Sequence, residues 1–96
     1  MRVMEGHSVI SPEVLARYAA DAAVEVPGVR GVVESPLHRR GVRVTGNEVE
    51  VHVVADFGAT LPDVASDVQR HVADYLLRMA GLRPAAVHVV VDELAR

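Results

Sequence analysis

The stretch VRVTGNEVEVHVVA, residues 42–55, decides the fold. Apolar and polar residues alternate on both sides of its central Gly-Asn dipeptide, which is typical of a two-residue β-hairpin turn. In the register that this turn sets, Val42 faces Val51 and Arg43 faces Glu50. The apolar pairs therefore share one face and the charged pair lies on the other. This pattern predicts an antiparallel hairpin with one buried face.

Amphipathic helices are predicted on both sides of the hairpin. Ser11-Pro12-Glu13 opens the first helix, with Ser11 as the N-cap, and Pro27-Gly28 ends it. The second helix is expected to begin at Thr60, its N-cap, and to end at a C-terminal cap on Gly81. Each helix carries apolar residues at helical spacing along one face, so each can cover a sheet.

Two further segments, Val29 to Glu34 and Val87 to Leu94, are predicted to be strands. The order α-β-β-β-α-β predicts an α/β (α+β) two-layer sandwich, in which a mixed four-stranded sheet carries both helices on one face. The strands before and after the second helix should be parallel, with a right-handed crossover. Residues 1–10 are expected to be a lead-in with scope for disorder, and residues 11–96 a single domain.

Composition excludes several classes of function. The 96 residues contain no cysteine, which excludes disulfides, thiolate metal centres and thiol nucleophiles. The sequence has no G-x-S-x-G, G-x-G-x-x-G or P-loop motif, so we expect no catalytic residue, no cofactor and no enzyme activity. The formal net charge of −3 makes nucleic acid an unexpected partner. Without an apolar signal or spanning segment, a cytoplasmic location without direct membrane insertion is expected.

The alternating strands also predict a second sheet face, turned away from the helices, which we call the open face. Its candidate interaction residues are Val32, Arg43, Glu50, His52, Val54, His88 and Val90, with Arg30, Glu34, Thr45 and Asp92 beside them. The three valines are either isolated exposed residues or the centre of a contact with a second copy or a partner. The edges of the sheet offer another route, because an unpaired edge can be extended by another chain.

Histidines on the open face raise a metal-binding hypothesis. If their strands are neighbours, His52 and His88 could approach each other, with Glu50 and Asp92 on the same face. The spacing matches no metal-binding motif, and solvated strand residues are the favoured interpretation. No metal site is therefore predicted.

A dense positive cluster follows the second predicted element, the strand from Val29 to Glu34. A candidate anion-binding loop, which could bind an anionic head group or an acidic partner surface, consists of His38, Arg39, Arg40 and Arg43. The alternative interpretation is a solvated loop. No aromatic residue interleaves the charges, so a stacking platform for single-stranded nucleic acid is not expected.

Motifs along residues 6–94 resemble those of the bacterial alkaline-shock / general-stress (Asp/Gls-type) envelope stress response protein family. The matching segments are Gly6, Ser11-Pro12-Glu13-Val14-Leu15-Ala16, Glu25-Val26-Pro27-Gly28-Val29, Gly41-Val42-Arg43-Val44, Phe57-Gly58, Leu61-Pro62-Asp63-Val64-Ala65, Met79-Ala80-Gly81-Leu82 and Val87-His88-Val89-Val90-Val91. The chain departs from the family pattern at Ser8, where an aliphatic residue is usual, and it lacks the highly charged tails of some members.

The resemblance implies a non-enzymatic cytoplasmic protein linked to cell-envelope stress or homeostasis. It implies self-association and a membrane-anchored partner protein that holds the chain at the inner face of the membrane. Because the family has no established catalytic residues, none is transferred to this chain. The alternatives are a binding module for nucleic acid or anionic ligands that uses Arg39, Arg40 and Arg43, and a regulatory partner of a metabolic enzyme.

Overall fold

A computed structural model describes the backbone of residues 2–4 and 7–9, and residues 10–33 and 41–96 in full. Its elements, in chain order, are β1 (Arg2–Met4), β2 (His7–Val9), α1 (Pro12–Val24), β3 (Val29–Val32), β4 (Val42–Thr45), β5 (Glu48–Asp56), α2 (Leu61–Ala80) and β6 (Ala86–Ala95). The order α-β-β-β-α-β from α1 onward confirms the predicted fold class. The segment expected to be a lead-in contains the antiparallel pair β1–β2, with Val3 opposite Ser8.

The hairpin of β4 and β5 has the predicted register. Val42 pairs with Val51 and Arg43 pairs with Glu50 in an antiparallel ladder. The turn between them places Gly46 at a φ of 58°, in the left-handed region that favours glycine. Local sequence chemistry therefore sets this part of the sheet before any long-range contact is needed.

Both helices begin at the predicted N-caps and α2 ends at the predicted C-cap, whereas α1 ends at a C-cap on Glu25, two residues before Pro27. The Ser11 hydroxyl accepts a hydrogen bond of 3.2 Å from the Val14 amide, which satisfies one free N–H of the first turn of α1. Thr60 is the N-cap of α2, although its side chain makes no capping hydrogen bond. Gly81 ends α2 at a φ of 66°, and its amide donates to the Leu77 carbonyl at 3.0 Å.

Strand β5 lies in the middle of the sheet. Strands β3 and β4 pair with its two halves in antiparallel orientation, and β6 pairs with it in parallel along its whole length. The sheet is therefore mixed, as predicted. Both helices cover one face, where the core consists of fully buried small side chains: Ala19, Ala22, Ala23, Val49, Val51, Val53, Ala55, Val68, Val72 and Leu76.

The prediction that Val32 lies on the open face is wrong. A β-bulge between Val29 and Gly31 adds one residue to β3, so Val32 pairs with Val53. Directly paired residues of an antiparallel ladder project to the same face, and Val53 is fully buried under the helices. Val32 accordingly packs against the core, because the bulge reverses the side to which the following residue points.

Candidate interaction face

The open face is formed mainly by β5 and by the strands on either side of it. From β5 come Glu50, His52 and Val54, which alternate with the buried Val49, Val51 and Val53. Arg43 of β4 lies directly opposite Glu50. Strand β6 adds His88, Val90 and Asp92. The structure thus brings together every predicted residue of this face that it describes, except Val32; Glu34 lies outside the described residues.

His52 lies at the centre of the open face, between two carboxylates. Its Nε2 is 2.8 Å from Oε2 of Glu50, and its Nδ1 is 3.0 Å from Oδ2 of Asp92. Only the doubly protonated imidazolium can donate to both carboxylates at once. The hydrogen bond with Glu50 raises the pKa of His52, burial opposes this shift, and the hydrogen bond with Asp92 adds to it.

Further charged side chains of the open face are paired across strands. Nη2 of Arg43 is 3.6 Å from Oε2 of Glu50, and Nε2 of His88 is 2.9 Å from Oε1 of Glu48. At the far end of β5, Nε of Arg30 donates to Oδ1 of Asp56 at 2.9 Å. The charges on this face therefore largely neutralise one another.

The metal-binding hypothesis receives no support from this geometry. Glu50 and Asp92 contact opposite nitrogens of the His52 ring, so their oxygens do not converge on one point. His88 is bonded to a different carboxylate, that of Glu48. Within residues 10–33 and 41–96, no group of three or more His, Asp or Glu residues has an arrangement that could hold a metal ion.

The surroundings of Arg43 weaken the anion-binding hypothesis. Arg43 lines a shallow groove together with Glu48, Glu50 and His88. Two carboxylates beside a single guanidinium would repel an anion, so this part of the candidate site is not suited to phosphate or a nucleic-acid backbone. The other three members of the candidate loop lie outside the described residues: His38, Arg39 and Arg40.

Two valines remain as the apolar part of the open face. Val54 lies opposite Gly31 in the ladder with β3, and Val90 lies opposite His52 in the ladder with β6. Both side chains are half-buried rather than fully exposed. The face is a mutually neutralised surface with a shallow groove and two small apolar spots, which suits contact with another macromolecule better than capture of a small molecule.

Sequence reasoning did not find two contacts that shape this surface. The Glu48–His88 pair depends on the parallel register of β5 and β6, in which His88 lies opposite Glu50, two residues from Glu48. The side-chain amide of Gln69, on α2, donates to the backbone carbonyl of Val87 at 3.1 Å. No local signal in the sequence marks Gln69, because its partner is a backbone atom eighteen residues away.

Comparison with known proteins identifies the family of this chain. The model of a protein family of the alkaline shock protein type, described as having a "cell envelope-related function", matches residues 2–96. The chain belongs to this alkaline shock protein family. Within it, the chain is similar to "Uncharacterized protein YqhY" of Bacillus subtilis (strain 168), with 36% identity over an alignment 98 positions long; the alignment covers 84% of this chain and 73% of YqhY. The family resemblance predicted from the sequence is thus confirmed.

Solved structures named MamM CTD share the fold. The copper form matches with a TM-score of 0.62 and 23% identity, over 88% of this chain and 86% of that one. A tryptophan-to-alanine variant matches with a TM-score of 0.61 and 23% identity, over 88% and 75%. At this identity the likeness concerns the fold and not the function. No helix in the described part of this chain is long and apolar enough to cross a membrane.

Proposed function

We propose that this chain is a non-enzymatic binding module of the cell envelope, which works by associating with itself and with a membrane-anchored partner protein. Membership of a family with an envelope-related function supports the setting. The observation that carries the mechanism is the chemistry of the open face. Arg43, Glu50, His52 and Asp92 are engaged with one another, and the apolar surface that the face offers a partner is that of Val54 and Val90, which are exposed in part.

The same chemistry argues against catalysis. A general acid or base needs a titratable group that faces a substrate cavity. His52, a titratable group of this face whose pKa is raised, has a carboxylate on each ring nitrogen and a side chain only 14% exposed. Its imidazolium is therefore committed to holding β5 and β6 together, through Asp92.

Partner binding through the open face would rest on shape and a few apolar contacts. A partner that covers Val54 and Val90 removes half-buried apolar surface from water without breaking the ion pairs around it. Since those pairs already neutralise the face, the partner needs no large opposite charge. A membrane-anchored partner of this kind would bring the chain to the membrane surface although its own described helices cannot cross it.

The proposal is tested with Val54→Glu and Val90→Glu in the full chain, with Ser66→Glu on the exposed surface of α2 as the matched control. Light scattering after size-exclusion chromatography measures self-association, and fractionation of cells measures the share that sediments with membranes. We expect the open-face variants to lose membrane association while Ser66→Glu retains it. A wild-type protein that is monomeric at every concentration, with membrane association unchanged in both open-face variants, would refute the proposal.

A further inference from the structure

Strand β6 has one edge that no other described strand extends. It pairs in parallel with β5 from Ala86 to Ala95, and no described strand pairs with its other edge. A strand of ten residues is long for a small domain. An exposed edge of this length is a template for the addition of another strand.

Gln69 reveals the orientation of the outer edge. Its side-chain amide donates to the carbonyl of Val87 at 3.1 Å, so the backbone groups of Val87 point away from β5. Alternate residues of a strand direct their N–H and C=O groups to opposite edges. The N–H and C=O groups of Val89 and Val91 therefore also point outward, whereas those of Val90 point toward β5.

The side chains beside this edge are covered incompletely. Val87, Val89 and Val91 point to the helix side of the sheet, yet all three are only partly buried. The neighbouring residues of β5 on the same face, including Val49 and Val51, are fully buried. The helical layer thus ends before the sheet does, and a further strand beside β6 would complete the apolar layer.

The edge is complementary to itself. If a second β6 pairs in antiparallel orientation about a two-fold axis at Val90, Val89 faces Val91 of the other copy and His88 faces Asp92 of the other copy. The outward groups of Val89 and Val91 then form hydrogen-bonded pairs, and Val90 faces its own symmetry mate in a non-hydrogen-bonded pair. Over residues 88–92, apolar residues meet apolar residues and each histidine meets a carboxylate. Val87 would face Glu93 of the other copy, beyond the register shift at Asp92, so the match is confined to this central segment.

We propose that two copies of this chain associate through their β6 edges, antiparallel and centred on Val90, into one continuous sheet. The inference deepens the proposed function and rests on it, because it names the surface through which self-association occurs. A second copy is favoured over a foreign strand because, over residues 88–92, both the charges and the backbone groups of this edge match their own reversed order. The pairing leaves Val54, on the central strand, free for the other partner.

The absence of native cysteine allows a direct test by Val90→Cys. In a non-hydrogen-bonded antiparallel pair the Cα atoms are about 4.5 Å apart, within the range of about 4.4–6.8 Å that a disulfide spans. Under mild oxidation with glutathione disulfide, we expect the mass without reductant to shift from 10.3 kDa to twice that value. Val54→Cys is the control, because it lies on the same face but on a strand whose two edges are occupied.

A second variant, Val89→Pro, removes one outward N–H without removing a hydrogen bond to β5, and proline is tolerated on strand edges. We expect it to fold and to lose the dimer, as judged by circular dichroism and light scattering. A dimeric Val90→Cys protein that forms no disulfide overturns the edge pairing and leaves self-association standing. A strictly monomeric wild-type protein overturns the self-association on which the pairing rests. A folded Val89→Pro protein that remains fully dimeric also overturns the edge pairing.

Discussion

Replacing Glu50 by glutamine should destabilise the fold in slightly acidic solution and cost little in alkaline solution. When His52 is an imidazolium, its Nε2 donates to Oε2 of Glu50 at 2.8 Å and its Nδ1 donates to Asp92. Glutamine keeps the shape but removes the charge that Glu50 contributes. When His52 is neutral, only one ring nitrogen donates, and the glutamine amide can donate to the other.

The size of the effect follows from the exposure of the pair. A hydrogen bond to a charged group contributes about 1.5–3 kcal/mol when it is shielded from water. The side chain of His52 is 14% exposed and that of Glu50 28% exposed, so partial screening applies. We expect Glu50→Gln to lower the free energy of unfolding by about 1–2 kcal/mol at about pH 6 and by close to zero at about pH 9.

The wild-type protein should show the matching pH dependence. Because the pKa of His52 is raised above its ordinary value of 6.5, the folded state binds the proton more tightly than the unfolded chain. The resulting stabilisation is fully present below pH 6.5 and is lost as the pH rises through the raised value. Glu50→Gln removes the largest cause of the shift, so the pKa of His52 should fall.

Urea unfolding at several pH values measures the stability, and an NMR titration of the His52 ring measures its pKa. Glu50→Gln also removes the 3.6 Å ion pair between Glu50 and Arg43, so Arg43→Gln is the control. This exposed pair contributes about 0–1 kcal/mol. If Glu50→Gln lowers the free energy of unfolding equally at both ends of the pH range, or leaves the pKa of His52 unchanged, then the hydrogen bonds of His52 to Glu50 and Asp92 do not stabilise this face.

Two further pairs of substitutions test the packing that supports the site. Gly28→Ala should lower the free energy of unfolding by roughly 3–5 kcal/mol, since φ is +95° and the new Cβ would lie 2.7 Å from Cγ2 of the buried Val64. Gly46→Ala, which has open space around it, should lower it by about 1–2 kcal/mol. Equal losses for the two variants would contradict the packing of Gly28 against Val64. Val53→Thr should cost about 1–3 kcal/mol and the adjacent Val54→Thr about 0.5 kcal/mol or less, as measured by thermal unfolding, because the hydroxyl is buried only at Val53. A larger loss of stability for Val54→Thr than for Val53→Thr would mean that the face of β5 with Val54, and not the face with Val53, lies in the core.

The parts of the fold that follow from local patterns could be predicted from the sequence. The β4–β5 register is set by a two-residue turn and by alternation over a few residues, so Arg43 opposite Glu50 could be predicted. The ends of the helices follow from capping chemistry at Ser11 and Gly81. These features need no knowledge of distant contacts.

The open face was harder to predict, because two bulges change which residues it contains. The bulge in β3 places Val32 in the core. Gly31, next to Val32, was the one sequence feature that indicated this bulge, since glycine within a strand often marks one. The shift in β6 falls between Val91 and Glu93, beside Asp92, which contacts His52. Register across forty residues of chain depends on tertiary packing, which periodicity alone does not contain.

The claim that this chain works by associating with a second copy is tested most directly by sedimentation equilibrium of the unmodified protein over a wide concentration range. The account predicts a reversible rise of the apparent mass from 10.3 kDa toward twice that value as the concentration increases. A mass that stays at 10.3 kDa at every concentration would contradict it.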